Sequence, residues 1–549
     1  MVGKKGEIPE ETERIAKASF PKGNGYMRLR EEYGRMFEEE EFADLYSWKG
    51  EEEIPGSYLA TVTVLQYVEG LTDRQAAEQV RSRIDWKYLL GEEITYAGFD
   101  QSALSRFRER LIEKGAEERL FEMPLKRMGE MGLVGGRGRQ RTDSTYVLAQ
   151  IRVLNRVELV GETMRQALNE VAVMAPEWLS SWVPEEWYER YGVRIEEMRL
   201  PREKSKREAL SKMIAEDGYR LLREVSEAES LSYLLEIPSI QILRRVWLQQ
   251  FYGPHQLGVW REKEDLPPGA EMINSPYDLD ARYSRKRKTA WTGYKVHLSE
   301  SCDEENPHLI THVETTPATE PDCVTLPTIH QSLAHKQLLP AEHLVDAGYM
   351  NVQNLVTSRQ EQNIDLVGPM RPDNSWQARE ETGYDISHFV VDWEHHSVTC
   401  PQGHASHHWS STTSKDGVDS INVRFHKDDC SFCPVRQLCT RSQSTPRTLQ
   451  LQPSPLLHHS LQHARTSQTS PEFQDRYRSR AGIEGTISQA TRSFDLRRTR
   501  FIGHAKTRLQ HLATASAINF SRLRDWWDHL SRSSTRSSSF LELNPYPLP

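Results

Sequence analysis

The segments TGYKVHLSE, residues 292–300, and HLITHVETT, residues 308–316, decide the fold class. Both alternate apolar and polar side chains, as two neighbouring strands of one sheet do. Further along the chain, HLVDA at 343–347 and the apolar run IDLVGP at 364–369 are strand-like, and a helical pattern over 351–363 separates them. Strands that alternate with a helix in this way predict an α/β fold.

Three short helices are predicted between residues 57 and 114, ahead of these strands. The first ends at Gly70, a residue type favoured just after a helix. The second follows Thr72, with Gln75 three residues later, which is a capping-box arrangement. The third begins near Ser102 and is rich in arginine. Such helices are typical of a helix-turn-helix DNA reader, and equally of a bundle used for packing or dimerisation.

Length and composition indicate a folded protein of several units. The chain has 549 residues, of which 37% are hydrophobic and 27% charged. No run of about 18 apolar residues exists, and the first residues lack the apolar core of a signal peptide. We therefore expect a cytoplasmic protein without a membrane partner. Residues 1–55 are polar and acidic and are expected to be partly ordered, and the Ser-rich tail at 529–549 is expected to be disordered.

The net charge of −9 hides a concentration of positive charge in a few places. Basic clusters lie at 284–288 (SRKRK), at 476–480 and at 496–508. Clustered cations attract phosphate whatever the total charge, so these segments predict contact with nucleic acid. The alternative for any one cluster is an ordinary solvated face.

Three acidic residues stand in the order that a two-metal phosphoryl-transfer site needs. Asp143 ends a strand-like segment in RTDSTYV, and Asp346 ends the strand in HLVDA. Glu484 follows Tyr477 and Arg480 in YRSRAGIEG, a spacing that places the three on neighbouring turns of one helix face. Carboxylates placed so can converge on two divalent ions, and oxygen ligands favour Mg²⁺ or Mn²⁺. Taken singly, each acid has a simpler explanation as a turn former, a cap or a solvated side chain.

Together these motifs resemble the DDE transposases of bacterial insertion sequences, whose catalytic core is RNase H-like. RTDST resembles the first aspartate motif, LVDAGY the second, and YRSRAGIEGTISQATRSFDLRRTRFIGHAKTRLQ the glutamate motif with its basic sequel. DARYSRKRKTAWTGYKVHL is similar to the strand region between the two aspartates. The early helices, SYLATVTVLQYVEGLTDRQAAEQV and FDQSALSRFRERL, are similar to the family's N-terminal domain. The resemblance covers residues 55–525 and implies an RNase H-like mixed sheet flanked by helices.

The organisation expected from this resemblance has an N-terminal all-helical domain and two insertions in the catalytic core. The expected parts are a partly disordered N-terminus at 1–55, a helical DNA-binding or dimerisation domain at 56–135, a core at 136–372 and 471–528 with a helical insertion at 148–275, an irregular cysteine-rich insertion at 373–470, and a tail at 529–549.

The resemblance also implies residue roles and partners. Asp143, Asp346 and Glu484 would bind two Mg²⁺ or Mn²⁺ ions and catalyse DNA strand cleavage and strand transfer. The implied partners are the terminal inverted repeats, target DNA and further copies of the chain in a homodimer or larger synaptic assembly, associated with a bacterial nucleoid. One departure is Thr491, where related enzymes often carry a lysine or arginine, with Arg492 as the candidate substitute. The expected DNA contacts are Tyr477, Arg480, Arg492, Arg497, Arg498 and Lys295.

Two other functions stay open at this point. A metal-dependent nuclease would use the same carboxylates without strand transfer. A catalytically inactive, transposase-derived protein would bind DNA through the early helices and the cysteine-rich insertion, although it would have no reason to keep all three acids. Asp322 also lies in a segment that the family shares, and its expected role is to cap the next helix.

Four of the six cysteines lie close together in CPQGH and CSFCPVRQLC. Four thiolates that include a Cys-x2-Cys pair can close a tetrahedral zinc site, which folds a small loop-rich insert. The family shows a similar cysteine-rich stretch. The spacing predicts one structural zinc ion, with His404 or His426 as substitute ligands; the alternative is a group of reduced cysteines without a ligand role. The predicted ligands are Cys400, Cys430, Cys433 and Cys439.

Overall fold

A computed structural model describes residues 8–46, 54–195, 200–201, 203–253, 256–380, 382–414 and 417–530. Helices surround one six-stranded sheet, and two further units have hydrophobic cores of their own. The predicted α/β class is confirmed. Within the described ranges, no helix is both long and apolar enough to cross a membrane.

The helices that precede the sheet pack into the main hydrophobic core. The capping box is confirmed, since Gln75 N donates to Thr72 Oγ1 at 3.3 Å and Thr72 N donates to Gln75 Oε1 at 2.9 Å. Gly70 adopts φ +67, which glycine tolerates without strain. The helices are α1 (Glu10–Ser19), α2 (Gly25–Glu32), α3 (Gly56–Val68), α4 (Asp73–Ser82), α5 (Ile84–Leu90), α6 (Ser102–Glu113) and α7 (Arg119–Glu130).

Residues 8–46, part of the segment expected to be only partly ordered, form helices and turns that pack into the core. Tyr33 and Phe42 are buried in the main core, and the rings of Phe42 and Phe107 lie 5.8 Å apart. Aromatic burial on this scale stabilises the segment despite its acidic composition. Residues 1–7 and 47–53 of the predicted N-terminal segment, and residues 531–549 of the predicted tail, lie outside the described residues.

The arginine-rich helix α6 packs against neighbouring elements through its arginine side chains. Arg108 is buried, pairs with Asp73 at the start of α4, and lies over the ring of Phe501. Arg110 lies over the ring of Tyr46 at 4.7 Å. Helix α3 is buried on nearly every side. These contacts favour the packing-bundle alternative over a free recognition helix.

The central sheet is mixed, as predicted. Its order is β2-β3-β1-β5-β6, and β4 also pairs with β3. Strand β3 is antiparallel to both β1 and β4, whereas β1, β5 and β6 are parallel. The predicted strand segments are confirmed. The strands are β1 (Arg139–Leu148), β2 (Arg282–Lys286), β3 (Thr289–Ser301), β4 (Ile310–Pro317), β5 (Glu342–Val345) and β6 (Asp365–Val367).

The sequence predicted that β1 ends at Asp143, but the strand continues to Leu148. Its pairing with β5 stops at Thr142–Val345, while its pairing with β3 continues to Leu148–Gly293. Asp143 therefore lies where the neighbouring strand stops. The strand continues because its other edge stays hydrogen-bonded to β3.

Five helices between β1 and β2 form a separate unit. Trp187, Trp247 and Phe251 are buried in its core. Because the chain leaves the sheet after β1 and returns at β2, this unit does not interrupt the pairing of β1 with β3. The helices are α8 (Arg156–Met174), α9 (Pro176–Ser180), α10 (Glu185–Tyr191), α11 (Lys204–Glu227) and α12 (Pro238–Gln250).

The segment expected to be irregular is a small β unit. Strands β9, β10 and β11 form an antiparallel sheet over Phe389, Val423 and Phe425. The alternation in SINVRF, residues 420–425, is the pattern that the sequence analysis missed. Besides β5 and β6, the α-helices and strands between β4 and α19 are α13 (Asp322–His335), α14 (Val352–Gln362), α15 (Trp376–Glu380), β7 (Val390–Asp392), β8 (Ser397–Thr399), β9 (Ser406–Thr413), β10 (Asp419–Phe425), α16 (Lys427–Ser431), α17 (Arg436–Cys439), β11 (Thr448–Leu451) and α18 (Pro455–Ser467).

The last three α-helices of the described residues are α19 (Pro471–Arg478), α20 (Gly482–Phe494) and α21 (His504–Trp527). A 3-10 turn at Ser479–Ala481 separates α19 from α20, so the prediction of one continuous helix is wrong. Helix α21 is buried along most of its length and packs against α3 and β4. It thereby joins the N-terminal bundle to the sheet.

Candidate active site

Asp143 and Asp346 lie side by side because β1 and β5 pair in parallel. The last pair of their ladder is Thr142 with Val345, so the next residue on each chain is an aspartate. Neighbouring strands are about 4.8 Å apart. Burial raises the pKa of Asp143, and the charge of Asp346 raises it further. Two of the three predicted acids are thus brought together by backbone pairing.

The C-terminal segment docks on the face of β1 that carries Asp143. Alternate residues of a strand share a face. Arg141, Asp143 and Thr145 follow one another on this face of β1, and each contacts the C-terminal segment. The turn after α19 supplies two of the contacts, and the segment after α20 supplies the third. The hydrogen bonds are Arg141 Nη1 to Ser479 O at 2.7 Å, Arg480 Nη1 to Asp143 Oδ2 at 3.0 Å and Arg497 Nε to Thr145 Oγ1 at 2.8 Å.

A buried ion network holds this docking in place. The carboxylate of Glu300 is fully buried and accepts from Arg141 at 2.6 Å, Arg522 at 2.8 Å and Thr486 at 2.5 Å. Burial alone would raise the pKa of Glu300, but the two guanidiniums outweigh it and hold the pKa below its usual value. The network joins β1, β3, α20 and α21. Gly482 at the start of α20 permits it, since a Cβ there would overlap the guanidinium of Arg141.

Arg480 joins the third acid to the first. Its Nη1 donates to Asp143 Oδ2 at 3.0 Å, and its Nη2 donates to Glu484 Oε1 at 2.7 Å. The ring of Tyr477 lies 5.6 Å from the guanidinium carbon. The side chain of Arg480 is 14% exposed, whereas that of Glu484 is 65% exposed. One guanidinium therefore separates the carboxylates of Asp143 and Glu484.

The donor chemistry of the three carboxylates fits a divalent cation. All donors are oxygen atoms, which suit Mg²⁺ or Mn²⁺. The Ser144 N–H donates to Asp143 Oδ1 at 2.7 Å and orients that carboxylate. In the described part of the chain, no group of three or more His, Cys, Asp or Glu side chains is arranged to hold a metal ion. The guanidinium of Arg480 lies between two of the donors.

Lys295, one of the expected DNA contacts, is mostly buried and paired within the protein. Its side chain is 12% exposed, and Nζ donates to Asp322 at 2.7 Å and to the carbonyl of Glu320. Asp322 is also not the expected cap, because its side chain bonds Lys295 and the cap position is Pro321. Burial opposes ionisation of Asp322, but the Lys295 charge prevails and lowers its pKa.

The remaining predicted DNA contacts differ in exposure. Arg492 and Arg498 are exposed on the C-terminal segment, in keeping with a role in binding a partner. Arg497 is half-buried and lies over the ring of Tyr146 at 4.6 Å. Tyr477 stacks on Phe473, and burial raises its pKa to about 12. Tyr477 is therefore a neutral phenol beside Arg480 at physiological pH.

Tyr349 is a supporting residue that the sequence analysis missed. It is fully buried three residues after Asp346, and its hydroxyl lies 2.6 Å from His297 Nδ1 and hydrogen-bonds Ser144. Burial lowers the pKa of His297 to about 4, so the imidazole is neutral. The phenol thus ties the Asp346 loop to β1 and β3. The motif LVDAGYM shows a tyrosine three residues after Asp346, but the sequence does not show which residues the tyrosine contacts.

The four clustered cysteines line one small cavity of about 30 Å³ in the β unit. Burial raises the pKa of Cys439 to about 11, and the neighbouring thiols contribute to that rise. His404 also lines the cavity, whereas His426 caps α16. The predicted zinc ligands therefore line one cavity. Among the described residues, however, no group of three or more His, Cys, Asp or Glu side chains is arranged to hold a metal ion.

Comparison with known families matches two separate parts of the chain. A model described as Transposase DDE domain matches residues 399–524, which include the cysteine cluster, Glu484 and most of α21. A model described as Transposase domain (DUF772) matches residues 15–110, within the N-terminal bundle. Neither match includes Asp143 or Asp346. No curated protein and no solved structure matches the chain. The two family matches, on either side of the strand that carries Asp143, support a DDE transposase of an insertion sequence.

Proposed function

We propose that this protein is a transposase that cleaves DNA at the ends of its element and joins the freed 3′-hydroxyls to a target strand. Asp143, Asp346 and Glu484 are the metal-binding carboxylates. The observation that carries the proposal is their convergence: two are adjacent through strand pairing, and the third is one guanidinium away. An acidic cluster built from strands and a docked helix suits two-metal phosphoryl transfer.

When bound, two Mg²⁺ or Mn²⁺ ions would supply Lewis-acid activation of the attacking oxygen and stabilisation of the leaving oxygen. Asp143 and Asp346 hold their carboxylates on the sheet, where the Ser144 amide and the Tyr349 loop limit their movement. Arg480 exchanges its carboxylate partners for a DNA phosphate. The attacking oxygen belongs to water during cleavage and to the 3′-hydroxyl during joining, without a covalent enzyme intermediate.

DNA is bound along the basic C-terminal segment. Arg492 and Arg498 are exposed there, and Arg480 lies beside the acids. The proposed substrates are the terminal inverted repeats of the element and a target duplex. Because two ends must be processed together, the active form is a homodimer or a larger synaptic assembly.

The test is incubation of the purified chain with a plasmid that carries the element's ends and Mg²⁺, with cuts mapped on both strands. Asp143→Ala, Asp346→Ala and Glu484→Ala should each abolish cutting and retain end binding. The matched control is Asp475→Ala, an exposed acid on α19 that pairs only with neighbouring Arg478 in the described contacts. An alanine variant that still cuts removes that residue from the triad.

Other outcomes separate the alternative functions. Nicks without joined products would indicate a nuclease that lacks strand transfer. End binding without any cut, with Mg²⁺ or Mn²⁺, would indicate a catalytically inactive DNA-binding protein. Insertion of a labelled 3′-end into a second plasmid would support the full reaction.

We also propose that Cys400, Cys430, Cys433 and Cys439 bind one structural zinc ion. All four line the same cavity, and Cys400, Cys430 and Cys439 pack against the core of the β unit. Because thiolates are the zinc ligands, binding releases the protons that the raised pKa of Cys439 retains. The ion draws the thiols together and stabilises the loops around α16 and α17.

Metal analysis of purified protein should find about one zinc per chain. Cys433→Ser should lose the zinc, whereas Cys323→Ser, outside the cluster, should keep it. A folded β unit without zinc in the unaltered chain would contradict this assignment.

A further inference from the structure

The strands β2 and β3 form an exposed hairpin with an unusual concentration of positive charge. Residues 283–290, named the basic hairpin, read YSRKRKTA and contain no acidic residue. Arg285, Lys286, Arg287 and Lys288 are all exposed. Four adjacent cations repel one another and are better stabilised by a polyanion than by water alone.

The basic hairpin has a defined shape. Lys286 pairs with Thr289, so the loop contains only Arg287 and Lys288. Arg287 adopts φ +56, as tight two-residue hairpin loops require. Arg285 Nε donates to the carbonyl of Arg287 at 3.2 Å. The backbone therefore presents the cations in a fixed arrangement, unlike a charged tail.

The basic hairpin also has a defined place beside the candidate active site. Lys286 Nζ lies 3.9 Å from Asp322 Oδ2. Asp322 in turn lies against Gly348, two residues after Asp346. The root of the hairpin is close to β1, because a Cβ at Gly293 would overlap the carbonyl of Val147.

We infer that the basic hairpin binds the phosphate backbone of the DNA strand that enters the active site. Arg285, Arg287 and Lys288 contact phosphates, while Lys286 stays close to Asp322. Arg480 and the hairpin then approach the same strand from two elements, the turn after α19 and the edge of the sheet. This inference rests on the proposed function but concerns binding, which can be measured without cleavage.

The experiment measures affinity for a short labelled linear DNA duplex by fluorescence anisotropy at several salt concentrations, without divalent metal. The hairpin variant is Arg285→Gln/Arg287→Asn/Lys288→Gln, in which asparagine tolerates the positive φ of position 287. Its control is Lys204→Gln/Lys206→Gln/Arg207→Gln, which removes the same charge from exposed positions at the start of α11.

The hairpin variant should make the negative slope of log affinity against log salt shallower by about 2 to 3, since each lost phosphate contact contributes about 0.9 to its steepness. The control should leave the slope unchanged. Lys288→Gln alone should make the slope shallower by about 0.9 and serves if the triple variant fails to fold. Equal slopes for hairpin and control variants would overturn the inference. That result would leave the proposed function standing, whereas absence of cutting by the unaltered chain would refute the proposed function and leave the binding measurement valid.

Discussion

The strand-borne aspartates and the helix-borne glutamate reach the candidate site by different means. Asp143 and Asp346 are adjacent because backbone hydrogen bonds pair their strands, and the side chain of Asp143 is 16% exposed. Glu484 is 65% exposed, and its side chain is held by Arg480. A surface ion pair contributes only about 0–1 kcal/mol. The aspartates are thus preorganised, whereas Glu484 depends on the docking of its helix and on a replaceable partner.

The geometry of the site therefore depends on two sources, the sheet that holds Asp143 and the docked helix that holds Glu484. Burial and mutual repulsion disfavour the ionised form of Asp143, so the sheet carries an electrostatic cost that a bound cation would relieve. Glu484 is mostly exposed, and its position depends on the distant network around Glu300. Three variants examine these two sources separately.

The largest effect is expected from Glu300→Ala, which breaks the docking of α20. It leaves Arg141 and Arg522 buried without their shared carboxylate, and breaking such a group typically costs about 3–5 kcal/mol. The free energy of unfolding, measured by urea denaturation, should fall by that amount. Glu304→Ala, an exposed acid in the loop after β3, is the control. A loss no larger than the control's would show that the network does not hold the helix.

A smaller effect is expected from Arg480→Ala, which removes the cation between the two kinds of carboxylate. Without the competing guanidinium, Mn²⁺ should bind the DNA-free protein up to about tenfold more tightly, equivalent to about 1.4 kcal/mol. Isothermal calorimetry measures this affinity. Arg478→Ala, whose side chain is 79% exposed, is the matched control. Weaker or unchanged metal binding would mean that Arg480 does not occupy the cation position.

The smallest effect is expected from Asp143→Asn, which should stabilise the fold slightly, because the substitution removes a buried charge. The raised pKa means that ionised Asp143 destabilises the folded state at neutral pH. The gain should be present at pH 7 and shrink as pH falls towards the unfolded pKa of about 4, where the native carboxyl is protonated as well.

Glu484→Gln provides the comparison for that variant, because an exposed carboxylate should leave stability nearly unchanged. Both variants are followed by urea denaturation at pH 7 and at lower pH. A pH-independent gain for Asp143→Asn would contradict the electrostatic explanation.

Much of the local structure could be predicted from the sequence, because its determinants are close together in the chain. Period-two alternation identified β3 and β4, and the Thr72–Gln75 pair identified the start of α4. The position of Asp346 at the end of β5 was also predicted, whereas β1 continues past Asp143. The β unit was missed because cysteines and polar residues masked the short alternation in β10.

The partners of single side chains could not be predicted in this way. Lys295 looked like a free cation within a basic region, but burial beside Asp322 engages it internally. Arg480 and Glu484 were expected together, yet the contact of Arg480 with Asp143 spans 337 residues of chain. Sequence spacing carries no information about such distances until the sheet and the helices have packed.

The sequence by itself determined the central strands of the main sheet and the start of α4, and it nominated three candidate acids, because periodicity, capping and motif spacing act over a few residues. Only the tertiary structure decided that Glu300 would hold α20 against β1, through contacts 159 and 222 residues away. It also decided that the basic hairpin would lie beside the carboxylates. The physical reason is that a buried charge selects its partners by the shape of the folded core, and no local pattern encodes that shape.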